Sequence, residues 1–70
     1  MDARYELVQV KPKRYHLKRK GNIVATLLLS GGWWQEQGDP TGERWRELKD
    51  AGETLVGRDL SRQRHKERVR

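Results

Sequence analysis

Residues 23–29, IVATLLL, form the longest run in this chain that is apolar apart from one threonine. Any fold open to the chain must bury it, because 37% of the residues are charged and only 33% are hydrophobic. Seventy residues make one domain at most. A chain of that size buries only about 60% of the surface exposed when unfolded, so its core is small. A homodimer would be one remedy. No Cys is present, and His16 and His65 lie far apart without HxxxH or HExxH spacing. Neither a disulfide, a metal nor another cofactor is therefore expected.

The apolar run is flanked by segments of strand character. Residues 4–10, RYELVQV, suit a half-buried strand. Pro12 interrupts it, having no N–H for a ladder. In residues 13–19, Lys13, Tyr15, Leu17 and Arg19 alternate with Arg14, His16 and Lys18. A three-residue loop, Lys20-Gly21-Asn22, pairs Leu17 with Ala25 and Tyr15 with Leu27, so that apolar meets apolar. A two-residue Gly21-Asn22 loop would put the basic row on the apolar face, and the hydrophobic pattern rejects it. Asn22 is expected to take the left-handed conformation at the loop's end.

Gly31-Gly32 breaks or bends the third strand before Trp33-Trp34, and residues 35–42 read as a loop. Asp39-Pro40 suits a helix entry, with Trp45 and Leu48 on one helical face and Ala51-Gly52 as a stop. Leu55, Val56 and Leu60 extend the same stripe, so one helix or two short ones are open. The expected class is α+β: a three-stranded antiparallel sheet packed against one C-terminal helix. Residues 1–60 form the domain and residues 61–70 a basic tail. If residues 53–57 were a strand, a small SH3-like barrel would serve as well.

Charge points to the partner. Lys/Arg outnumber Asp/Glu seven to two over residues 1–35, fall behind four to seven over 36–59, and lead five to one over 60–70. Localised positive surface on a protein of net charge +6 attracts polyanions, nucleic acid first among them. The expected nucleic-acid-binding residues are Lys11, Lys13, Arg14, His16, Lys18, Arg19 and Lys20 on the strands, and Arg62, Arg64, Lys66 and Arg68 in the tail. The tail resembles in composition the arginine-rich peptides of phage antitermination proteins. The strand–strand–strand–helix order over about residues 4–52 resembles, in topology and basic strands, AP2-type and integrase arm-binding domains. That resemblance implies a sheet laid in the major groove.

Adjacent Trp33 and Trp34 face opposite ways in a strand, which leaves one indole available to stack on a base or anchor an interface. Catalysis has no nucleophile–base pair or phosphate loop to rest on, and the Glu43–Glu47 pair at i, i+4 is surrounded by Arg44, Arg46 and Lys49. An enzyme is not expected. The reading is a small basic nucleic-acid-binding regulatory or accessory protein of phage or prophage type, DNA ahead of RNA. Its rival is an interaction module or inhibitor that docks an acidic surface of a larger protein through a Trp rimmed by Arg and Lys. Residues 23–29 are too short to span a bilayer and the N-terminus lacks signal-peptide character, so a soluble cytoplasmic protein without membrane contact is expected.

Overall fold

Period-two alternation carries the chain through five strands before one helix takes over. In this computed structural model residues 2–68 are described, with side chains as far as Arg64. The elements are β1 (Tyr5–Lys11), β2 (Arg14–Arg19), β3 (Asn22–Ser30), β4 (Trp33–Glu36), β5 (Arg44–Trp45) and α1 (Leu48–Arg68). The strands form one antiparallel sheet in the order β1-β2-β3-β4-β5. The α+β class holds, but the sheet has five strands where three were expected.

Two turns explain part of that difference. Gly31 and Gly32 both take positive φ, 58° and 80°. Positive φ at both central residues makes a type I′ turn, whose twist matches that of the flanking strands. The pair therefore reverses the chain instead of merely bending it, and β4 folds back with Leu29 opposite Trp34. The first turn differs in detail. Lys20 and Gly21, at φ 52° and 79°, form a two-residue loop, and Asn22 is already in β3. Lys20, not Asn22, takes the left-handed conformation.

The expected pairing of β2 with β3 is nonetheless present, with Leu17 opposite Ala25 and Tyr15 opposite Leu27. The shorter loop would have thrown that register off by one residue. A bulge between Leu17 and Lys18 corrects it, since Lys18 faces Ile23 and leaves Val24 as the extra residue. Val24 and Ala25 then both pack against the core, which strict alternation forbids.

Residues 39–43 do not begin the helix. The Asp39 carboxylate accepts the Thr41 backbone N–H at 3.0 Å and its hydroxyl, a local turn that competes with helix. Those bonds also hold the Asp39 carboxyl below the usual carboxylate range. Gly42 at φ 71° then sets the chain extended into β5. Trp45, expected on the helix, is a strand residue opposite Trp34. Glu43 and Glu47 consequently share no helical face, and Glu43 instead pairs with Arg58.

Ala51 and Gly52 do not stop the helix, and residues 53–57 are helical, which excludes the barrel. Both residues are buried. Small side chains there let α1 sit close to the sheet, and packing overrides Gly52's cost of about 1 kcal/mol in a helix. Leu17, Leu27 and Leu55 are closed off from water, each contributing about 1.5–3 kcal/mol. Tyr5, Ala51 and Val56 complete the buried core, with Leu7, Trp34, Trp45, Leu48 and Leu60 packed around it. No described helix is long and apolar enough to cross a membrane.

Candidate nucleic-acid interface

Helix α1 covers one face of the sheet, and the functional question is what the other face carries. Opposed residues in an antiparallel pair share a face, so the register identifies the open side. One row crosses all five strands: Lys11, Arg14, Leu28, Gln35 and Arg44. A second row holds Val8, His16 and Thr26, and a third holds Glu6, Lys18 and Ile23. Ile23 is more than half exposed. Glu6 is the one carboxylate in these rows.

The expected site residues therefore separate. Lys11, Arg14, His16 and Lys18 lie together on the open face. Lys13 and Lys20 are exposed in turns at opposite ends of the β2 strand. The Lys13 carbonyl accepts the Leu29 N–H at 2.9 Å, which fixes the Pro12-Lys13 turn against β3. Lys11, Lys13, Arg14, Leu28, Ser30 and Gln35 line a shallow open depression here, cationic at its rim and apolar in its floor.

Arg19 faces the other way. It pairs across the strands with buried Tyr5, and its Nε is enclosed 3.4 Å from Asp59 Oδ2 on α1. The Tyr5 hydroxyl donates to the same Asp59 oxygen at 2.5 Å and Gln63 Nε2 donates at 2.7 Å. Burial first, and the neighbouring carboxylate second, push the Tyr5 pKa up. Arg19 is thus engaged between the layers, away from the other strand cations.

Arg62 and Arg64 are exposed on α1, the layer opposite the open face. The side chains of Lys66 and Arg68 lie outside those described. The tail is continuous with the helix through Arg68.

The two indoles diverge as their adjacency requires. Trp34 turns inward and meets Tyr15 edge to face, with ring centroids 5.4 Å apart at 79°. Trp33 turns outward, half-buried, beside Gly32. The Arg46 guanidinium carbon lies 4.6 Å from its ring centroid and that of Arg44 lies 5.2 Å away.

Arg44 and Arg46 were not among the expected site residues. Their signal was the alternation Arg44-Trp45-Arg46, hidden because Asp39-Pro40 favoured a helical reading. No protein-family profile, curated protein or solved structure matches the chain.

Proposed function

We propose that this is a small nucleic-acid-binding accessory or regulatory protein, of the kind found in phages and prophages, whose ligand lies on the open face of the sheet. The role is binding, not catalysis. The observation that supports it most is the five-strand row from Lys11 through Arg14 to Arg44, with His16 and Lys18 beside it. Among the described residues none of Lys11, Arg14, Lys18 and Arg44 is held in an ion pair. Unpaired surface cations that neutralise phosphates release the counterions condensed on the nucleic acid, which supplies affinity without sequence preference. DNA is placed ahead of RNA because the cations are borne by strands, while Arg62 and Arg64 of the arginine-rich tail that would favour RNA belong to the other layer.

The test is a fluorescence-anisotropy titration of labelled oligonucleotides with wild type and with R14E/K18E. Both side chains are on the open face, so the variant should keep the wild-type circular dichroism and lose binding at least tenfold. Unchanged binding would move the site off the sheet. The rival ligand, an acidic protein surface anchored on Trp33, draws on the Arg44–Trp33–Arg46 cluster and predicts no oligonucleotide binding even at low salt.

A further inference from the structure

Trp33, Arg44 and Arg46 occupy the end of the open face farthest from β1, and no expected cation lies there. Trp34 opposite Trp45 and Gln35 opposite Arg44 set the register of β4 on β5. Continuing it by one residue brings Arg46 opposite Trp33, with Arg44 on the diagonal. Both guanidiniums thereby converge on one indole. Two like charges brought together repel, and each cation–π contact recovers only about 0.5–1 kcal/mol at an exposed site.

Among the described residues no carboxylate is ion-paired with either of them. Glu43 is committed to Arg58, and Glu36 lies opposite Leu27 on the helix side. A guanidinium held by its face against an aromatic ring still presents its N–H edge to an oxyanion. Such a cluster can receive a phosphate oxygen.

The width of the sheet selects the kind of strand. Five strands at about 4.8 Å spacing span roughly 19 Å, whereas the major groove of B-DNA is about 12 Å wide and admits a two-stranded ribbon. The five-strand part of the face is too broad to enter a groove as a narrow hairpin does. A duplex would also leave the apolar floor at Leu28 without a use. Unpaired bases present flat apolar faces to such a floor, and arginine and aromatic side chains stack on them.

We infer that Trp33, Arg44 and Arg46 form a phosphodiester clamp for an unpaired nucleic-acid strand, which crosses the sheet from the Lys11–Arg14 end. Those two ends stand about 14 Å apart, three strand spacings. The inference rests on the open-face reading and specifies its ligand.

The experiment titrates fluorescein-labelled oligothymidylate, and a duplex of equal length, with wild type, R44Q/R46Q and R14E/K18E across a salt series. The single strand should bind roughly tenfold or more tightly than the duplex. R44Q/R46Q should melt like wild type, bind the single strand about tenfold more weakly, and lose about 1.4 from the salt slope, two phosphates at roughly 0.7 each. Wild-type affinity and slope in R44Q/R46Q, together with lost binding in R14E/K18E, would overturn the clamp and leave the open-face reading standing. Tighter binding to duplex would overturn the unpaired-strand assignment. Failure of wild type to bind either probe would overturn both.

Discussion

Asp59 holds three side chains that come from far apart in the chain: Tyr5 from β1, Arg19 from β2 and Gln63 from the next helical turn. A carboxylate drawn this far from water is stable only with such partners. The Tyr5 pKa is raised above the ordinary 10.0, so the unfolded chain releases its phenolic proton first as pH climbs. The contribution to stability is whole below about pH 10 and is lost as pH rises through the folded-state value. Tyr5→Phe, which cannot ionise, should therefore show a flatter melting temperature above about pH 10 than wild type. Equal slopes in both proteins would show that Tyr5 is not the group responsible. At neutral pH the same variant should cost about 1 kcal/mol, the worth of one hydrogen bond, in chemical denaturation.

Elements differ in how openly they were written. β1, β2 and β3 were readable because apolar residues alternate or run together and Pro12, Gly21 and Gly31 punctuate them. β4 hid behind Gln35 and Glu36, whose polarity reads as loop when the partner strand is unknown. β5 hid behind Asp39-Pro40, a helix-entry signal that the Asp39–Thr41 turn diverted. The helix was legible as a stripe but not in its length, because two glycines argue against it. Gly57 is exposed, has no positive φ, and a Cβ there would meet nothing within 4 Å. Gly57→Ala should stabilise the protein by about 0.4–1 kcal/mol in urea unfolding. A loss of stability would mean that this turn of α1 is not helical in solution.

At the scale of the molecule, the cations sit on opposite layers, Lys11, Arg14 and Lys18 on the open face and Arg62 and Arg64 on the helix. One ligand lying flat on the sheet does not meet both. Every described core residue lies at or before Leu60, and among the described residues Gln63 is the last to bond across the layers. Removing residues 65–70 should therefore leave the thermal melt in place and preserve the preference for single strand over duplex, measured by anisotropy. Loss of that preference would put the site on the tail. The sequence alone determined the class of fold, the Leu17–Ala25 and Tyr15–Leu27 pairing, the opposite facing of Trp33 and Trp34, and the clustering of cations at the ends of the chain, because each follows from local periodicity and from the cost of exposing residues 23–29. Only the tertiary structure decided that Arg19 turns inward to Asp59, that Arg44 and Arg46 converge on Trp33, and that Trp45 is a strand residue. These depend on which strand lies beside which, and a pairing between segments distant in sequence leaves no local period to read.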